Sequence, residues 1–256
     1  AILVSIILDK KIIIRSNLSP NGWQSSCLKR KLFKFLLSKA NKIIVNSVDF
    51  QKEMKKKFDI NTTTIFNPVD IKEINKLSFF EKKIIFFKKK TINLISVGRL
   101  VQQKNQIEIL FALIKLKKLI KNYRLLIIGY GPDKSYLENF IKKNKLNKYV
   151  KILFVKNALK YIKMSDVYIS SSKYEGLPNT LLEAAHLNKY IISSNCKTGP
   201  REIIEKYKNG ELYNAGNTNE LYLKLKKLKK KKLLSKKINY LKNLSKFDHK
   251  VNLKKY

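Results

Sequence analysis

Three loops, each following a short apolar run, hold the residues best suited to chemistry. The first is Ser96-Val97-Gly98-Arg99-Leu100, with Lys104 just beyond it. Gly98 lets the backbone turn tightly, and Arg99 and Lys104 stand within one short loop. Two cations placed so could neutralise a diphosphate, Arg through paired hydrogen bonds and Lys as a point charge. An ordinary solvated loop would account for Lys104 equally well in so lysine-rich a chain. It accounts less well for Arg99, one of only five arginines among 56 basic residues. The second loop is Gly129-Tyr130-Gly131-Pro132. Position 134 is Lys, so a dinucleotide fingerprint fails, and the glycines are expected to serve a tight turn and close packing. The third runs Ser170-Ser171-Ser172-Lys173-Tyr174-Glu175-Gly176-Leu177-Pro178-Asn179-Thr180 and leads into Leu181-Leu182-Glu183-Ala184. A helix opening near Asn179 would present unpaired amides to a phosphate, aided by its dipole. Glu175 lies in the loop and Glu183 on the helix. A carboxylate accepts two hydrogen bonds from a vicinal diol, so one can face a sugar and the other a ribose. Read singly, each Glu is a solvated residue; the pair around a Gly-Leu-Pro-Asn turn is harder to explain that way.

These loops must be positioned by strands. Short apolar runs alternate with longer amphipathic stretches, the signature of a parallel α/β sheet. Strands are predicted over 11–15, 42–46, 63–66, 92–97, 125–128, 150–154, 167–170 and 190–193, and helices over 27–39, 51–58, 105–121, 135–145 and 179–187. Ser47 is placed to cap the helix that contains 51–58. Segment 71–90 lacks clear alternation and ends in a lysine run, which suggests a connector. The organisation expected is therefore an incomplete first α/β unit at 1–70, the connector at 71–90, a doubly wound unit at 91–220, and a lysine-rich helical segment at 221–256. Ligands of such sheets bind beyond the carboxyl ends of the strands, which is where the three loops lie.

Composition narrows the classes. Hydrophobic residues make up 44% of 256, so a core is expected. The opening apolar run, Ala1 to Leu8, is too short for a signal or a membrane span and is expected to form a core strand or buried helix. It also suggests that an N-terminal portion precedes it. The net charge of +38 is carried mostly by Lys scattered among Ile and Asn. A compositional drift explains this better than a nucleic-acid ligand, whose binders draw heavily on Arg. Attraction to an anionic lipid surface or a polyanionic substrate is the functional alternative. Cys27 and Cys196 fit no metal spacing, and neither His186 nor His249 sits beside a nucleophile.

Taken in order, several motifs resemble the retaining glycosyltransferases of family 4, which have the GT-B fold of two Rossmann-like domains. Glu175 and Glu183 frame Gly-Leu-Pro-Asn, and SVGRL followed by Lys104 precedes them. SKANKIIVNS (38–47), TTTIFNPVD (62–70), IIGYGP (127–132), MSDVYISSSKYEGLPNTLLEA (164–184) and NCKTGPREII (195–204) follow the family order. The form with TGPREII is similar to bacterial enzymes that build lipopolysaccharide, capsule or lipid-linked oligosaccharide. The family's first β-α units are absent, so the N-terminal domain is expected to be incomplete.

The resemblance implies a hexosyl or N-acetylhexosaminyl transfer from a nucleotide sugar, with UDP preferred over GDP, to a glycan or lipid-linked acceptor, with retention of configuration. It implies that Arg99 and Lys104 hold the diphosphate, that Glu183 binds the ribose, and that Glu175 contacts the sugar. Gly98, Gly176, Leu177, Pro178, Asn179 and Thr180 would complete the donor site. No cofactor or metal is implied, and no nucleic-acid partner. Arg15 to Pro20 is placed where an acceptor could lie. The helix at 27–39 pairs an apolar side, Leu28, Leu32, Phe35 and Leu36, with Lys29, Arg30, Lys31 and Lys34; it packs on its own sheet or lies on an anionic membrane. Leu221 to Leu234 poses the same choice. The expected location is the cytoplasm, peripheral at the inner membrane. Two alternatives are a non-catalytic sugar-nucleotide-binding partner and a basic nucleic-acid-binding protein.

Overall fold

The computed structural model describes residues 2–17, 27–79, 86–116, 121–207, 210–228 and 245–256. A first unit contains α1 (Ile2–Ile7), β1 (Ile13–Ser16), α2 (Cys27–Ser38), β2 (Lys42–Val45), α3 (Val48–Phe58) and β3 (Thr63–Thr64). Its three strands are parallel in the order β1-β2-β3. Leu37, Ile43, Val45, Phe50, Met54, Phe58 and Ile60 form its core. Ser47 caps α3, its Oγ accepting from the Phe50 amide at 3.1 Å.

Helix α4 (Ile71–Leu77) follows, and then the larger unit begins. It comprises β4 (Ile92–Val97), α5 (Gln106–Lys115), β5 (Tyr123–Ile128), α6 (Lys134–Lys143), β6 (Val150–Leu153), α7 (Leu159–Met164) and β7 (Val167–Ser170). It continues with α8 (Asn179–His186), β8 (Tyr190–Ser194), α9 (Pro200–Tyr207), β9 (Gly210–Tyr213) and α10 (Thr218–Lys227). The six strands are all parallel in the order β6-β5-β4-β7-β8-β9. Successive strand residues point to opposite faces, so each face gathers its own core. Ile95, Leu126, Ile128 and Tyr168 face α7, α8 and α9 through Ile162, Leu181, Leu182 and Ile203. Leu94, Leu125, Ile127 and Ile169 face α5, α6 and α10 through Ile109, Leu137, Leu221 and Leu225. Helices on both sides explain why these strands read as continuous apolar runs.

The structure departs from the sequence reading at several points. The segment at 71–90 contains α4, because Asp70 caps it by accepting from the Glu73 amide at 3.0 Å, and Ile74 is buried against the larger unit. Helix α10 crosses position 220, and Leu221, Leu225 and Leu228 are buried in the larger unit's core. That apolar side is thereby occupied by packing; positions 229–234 lie outside the described residues. The opening apolar run is a helix whose Val4 and Ile7 are exposed, since no described element covers them. Among the described side chains of α2 only Leu37 is buried, while Leu28, Leu32 and Phe35 face solvent. Three elements were not anticipated: α7 and α9 are short, and Glu211 interrupts the apolar pattern of β9.

The chain returns to the first unit at its end. A 3-10 turn (Ser245–Phe247) and α11 (His249–Leu253) lie against the connector. The Val69 amide donates to the Phe247 carbonyl at 2.9 Å, and the His249 amide donates to the Val69 carbonyl at 3.1 Å. The Phe66 and Phe247 rings meet edge to face at 4.9 Å. A second tie crosses between the units directly. Glu202 of α9 accepts from the amides of Val48 and Asp49 at 3.2 and 2.9 Å, so the larger unit supplies a cap for the first turn of α3. A helix cap contributes about 1–2 kcal/mol. Glu202→Ala is therefore expected to lower the urea midpoint by a loss of about that size. An unchanged midpoint would show that the carboxylate does not hold the units together.

Candidate functional site

In the six-stranded sheet, β4 runs beside both β5 and β7, and the connections leave it in opposite directions. This is the switch point at which open α/β sheets leave a crevice. The loops after β4 and β7 are therefore forced side by side, and hydrogen bonds close the seam between them. Ser171 Oγ donates to the Lys104 carbonyl at 2.9 Å, and the Lys173 amide donates to the Gln103 carbonyl at 2.8 Å. Gln103 Nε2 in turn donates to the Tyr174 carbonyl at 2.8 Å. Lys104 Nζ and Glu175 Oε1 form a largely buried ion pair at 2.5 Å. The two groups expected to meet a ligand separately are thus each other's partners. Arg99 is exposed, and its one side-chain contact among the described residues is a long one to Gln103 Oε1 at 3.4 Å.

The glycines of the second loop act as packing residues. A Cβ on Gly129 would lie 1.9 Å from the Gly98 carbonyl oxygen, which only glycine permits. This lets the loops after β4 and β5 lie against each other and forms one wall of the crevice.

At the third loop, Pro178 precedes α8 without a side-chain cap. The amides of Gly176, Leu177, Asn179 and Thr180 have no acceptor among the described residues. The positive end of the α8 dipole adds to them, so an anion is favoured there. Asn179 and Glu183 are four residues apart and share a helix face. Burial raises the Glu183 carboxyl above the ordinary Glu value.

These groups line one joined crevice. A space of about 570 Å³ is bounded by Val97, Gly98, Arg99, Tyr130, Phe154 and Ala158, with Thr180 and Glu183 on its floor. A second of about 610 Å³ is bounded by Arg99, Lys104, Glu175, Gly176, Leu177, Pro178, Asn179 and Thr180. Arg99 and Thr180 belong to both, so the spaces meet there. The first has mainly apolar walls, with Tyr130 and Phe154 edge to face at 6.0 Å. The second is polar and adds Asn17, Asn46, Asn67 and Gln103. All ten residues singled out in the sequence, Gly98, Arg99, Lys104, Glu175, Gly176, Leu177, Pro178, Asn179, Thr180 and Glu183, therefore face this crevice.

Sequence reasoning missed the asparagines, Gln103 and the aromatic pair. Asn67 could have been noticed, because it ends the third predicted strand in front of Pro68. Its Nδ2 donates to the Leu177 carbonyl at 2.9 Å and to Asn179 Oδ1 at 2.7 Å, while its Oδ1 accepts from Arg15 at 2.9 Å. Asn67 thus bridges Arg15 of strand β1 and the third loop. Positions 18–20 lie outside the described residues.

Residues 78–246 match the family of glycosyl transferases group 1. The chain belongs to this family. It is 34% identical over 178 residues to an uncharacterised glycosyltransferase of Methanocaldococcus jannaschii, which covers 67% of this chain and 44% of that protein. It is 32% identical over 194 residues to the amylovoran biosynthesis glycosyltransferase AmsD of Erwinia amylovora, covering 73% and 54% respectively. The chain spans about half the length of these sequence relatives. Among solved structures, Anabaena HepE with UDP and glucose superimposes with a TM-score of 0.80 at 18% identity, over 99% of this chain and 72% of that one. TarM of S. aureus gives 0.79 at 20% identity, over 96% and 49%. The fold is GT-B, with the N-terminal domain represented in part. In this glycosyl transferase the crevice lies between the larger Rossmann-like unit and the partial one.

One buried carboxyl outside the crevice lies in an unusual setting. Glu108 of α5 is 3% exposed, and its Oε2 accepts from Asn105 Nδ2 at 2.7 Å. Asn105 holds φ of 51°, in the left-handed region, immediately after Lys104. Burial raises the Glu108 carboxyl to about 7. A raised carboxyl favours the folded state while protonated, so that contribution is present below about pH 4.5 and is lost as pH rises through 7. Glu108→Gln is expected to be more stable than the parent at pH 8 by roughly 1–3 kcal/mol, and equal to it near pH 4. Urea titrations at the two pH values check this; equal differences at both would contradict it.

Proposed function

We propose that this glycosyl transferase moves a hexosyl or N-acetylhexosaminyl group from a nucleotide sugar, with UDP preferred, to a glycan or lipid-linked acceptor, retaining configuration as the family 4 enzymes do. The observation that carries the reading is the joining of an apolar space to a polar one at Arg99 and Thr180. A nucleotide sugar has the same three-part chemistry: a flat base and ribose, two phosphates, and a sugar. The base fits between the apolar walls near Tyr130 and Phe154, where stacking is available. The ribose hydroxyls meet Glu183. The diphosphate lies at the junction, where Arg99 and the open amides of Gly176, Leu177, Asn179 and Thr180 converge. The sugar then occupies the amide-rich space beside Glu175 and Lys104.

Chemistry follows from where charge develops. As the glycosidic bond breaks, the sugar gains oxocarbenium character and negative charge collects on the departing diphosphate. Donors fixed in advance around that diphosphate lower the barrier without reorganising. Arg99 offers a fork to two oxygens, the α8 dipole adds its positive end, and Lys104 can share its ammonium between Glu175 and a phosphate oxygen. The acceptor hydroxyl attacks from the face that the diphosphate leaves, and its proton passes to a diphosphate oxygen. These cations and amides supply the positive potential, so the reading needs no metal or cofactor. Relatives named for biosynthesis, such as the capsular polysaccharide glycosyltransferase CapH of Staphylococcus aureus and the amylovoran glycosyltransferase AmsD, support a role in surface-polysaccharide assembly.

Isothermal titration with UDP, GDP and ADP tests the nucleotide assignment. UDP is expected to bind tightest, and Arg99→Ala and Glu183→Ala each to weaken it about tenfold to a hundredfold, the range for a lost charge-assisted hydrogen bond. Because burial raises Glu183, binding is also expected to fall on acidification at a higher pH than an ordinary carboxylate would give. If neither substitution changes the affinity, the assignment fails.

The same proposal places the protein at the cytoplasmic face of the inner membrane. Support comes from α2, whose exposed Leu28, Leu32, Phe33 and Phe35 lie on a helix that also carries exposed Lys31 and Lys34. No helix among the described residues is long and apolar enough to cross a membrane. Charges near an anionic surface contribute about 1 kcal/mol each. The chain is expected to float with phosphatidylglycerol vesicles at moderate salt and to stay down with phosphatidylcholine; equal behaviour with both lipids counts against membrane attachment.

A further inference from the structure

Asn46 follows β2 directly, is 1% exposed, and lines the polar space of the crevice. Its Nδ2 donates to the Asn17 carbonyl at 3.2 Å, whereas its Oδ1 is buried and has no hydrogen-bond partner among the described residues. Buried amide oxygens nearly always find a donor, since their lost hydration is otherwise uncompensated. The neighbouring amides on the same wall are engaged. Asn67 bonds on both sides, to Arg15 and to Leu177 and Asn179. Gln103 donates to Tyr174 and accepts from Arg99.

The place of this oxygen in the crevice identifies what it meets. A Cβ on Gly176 would lie 2.1 Å from the Asn17 carbonyl oxygen, 2.8 Å from Asn46 Nδ2 and 2.9 Å from Asn46 Oδ1. The first domain and the third loop therefore touch at Gly176, and only the lack of a side chain allows it. Gly176 is also the first of the open amides assigned to the diphosphate and is adjacent to Glu175. Asn46, Glu175 and Gly176 line the same polar space, and Tyr130 and Phe154 line the other one.

We propose that Asn46 Oδ1 accepts a hydrogen bond from a hydroxyl of the sugar carried by the nucleotide donor, which makes Asn46 a specificity-determining residue supplied by the N-terminal domain. This rests on the nucleotide-sugar reading of the crevice. A site with an unpaired buried acceptor rewards a sugar that presents a hydroxyl there and rejects an epimer that does not, because the oxygen is then left unmatched. Asn46 thereby lets the first domain read the sugar while the second holds the phosphates.

The test is isothermal titration of the full chain and of Asn46→Ala and Asn46→Asp with UDP, UDP-glucose, UDP-galactose and UDP-N-acetylglucosamine. The parent is expected to bind one sugar nucleotide more tightly than UDP. Asn46→Ala should bind UDP as the parent does but lose about tenfold for that sugar nucleotide. Asn46→Asp removes the donor to Asn17 yet keeps an acceptor, so it should retain the sugar's advantage; a residue acting only as a strut for Asn17 would lose it. An unchanged ratio of sugar-nucleotide to UDP affinity in Asn46→Ala overturns the inference, including the case in which only the KM for an acceptor rises. No UDP binding by the parent would instead remove the nucleotide reading on which the inference stands.

Discussion

The ion pair between Lys104 and Glu175 fixes the geometry of everything around it. It joins the loops that leave β4 and β7, the two strands at which the sheet changes direction, and it is largely shielded from water. In such a setting a charge is tolerated only with a partner, and removing one member leaves the other buried and unpaired. The backbone bonds from Ser171, Lys173 and Gln103 then act as a zip on either side of the pair. Because the seam is closed, Arg99 and the start of α8 face the same empty space instead of turning away from each other. The crevice is a consequence of that closure.

The same pair sets the electrostatic character of the crevice. Lys104 does not stand as a bare cation, since Glu175 balances it; the positive field comes from Arg99, the open amides and the α8 dipole. On the proposed reading, an arriving diphosphate enters a region where one fixed positive fork is supplemented by dipoles that cost nothing to reorient. The lysine can divide its three donors between the carboxylate and a phosphate oxygen. Here the +38 net charge is a poor guide to function, because the site uses one arginine, one balanced lysine and uncharged amides.

Two ties govern how the partial first domain sits over the site. Glu202 reaches across to α3, and the C-terminal turn brings Phe247 back onto Phe66. Between them, Asn67 spans from Arg15 to the third loop. These contacts bring Asn17 and Asn46 to Gly176, so the polar wall is built from both domains, whereas the apolar wall comes almost entirely from the larger one. With the proposed donor bound, a crevice divided in this way would give the phosphates to one domain and let the other contribute to the sugar end.

Much of this was legible in the residues themselves. Parallel strands buried on both faces must be continuous apolar runs, so 92–97, 125–128 and 167–170 could be read directly; Gly98-Arg99 and Glu175 to Asn179 sit at strand ends, and strand ends are where such sheets bind. Local chemistry determined Ser47 as a cap and Gly129 as a packing residue. Helices α7 and α9, only six and eight residues long, and β9, interrupted by Glu211, carry too few periodic positions to announce themselves. Tertiary structure alone decided that Lys104 and Glu175, 71 positions apart, are partners. It alone decided that α10 spends its leucines on the core while α2 leaves its own exposed, because a helix's apolar side is the same in sequence whether or not a sheet lies beneath it. And it alone brought Asn46 to Gly176, a contact made across the domain boundary by the Glu202 and Asn67 ties, which no spacing along the chain encodes.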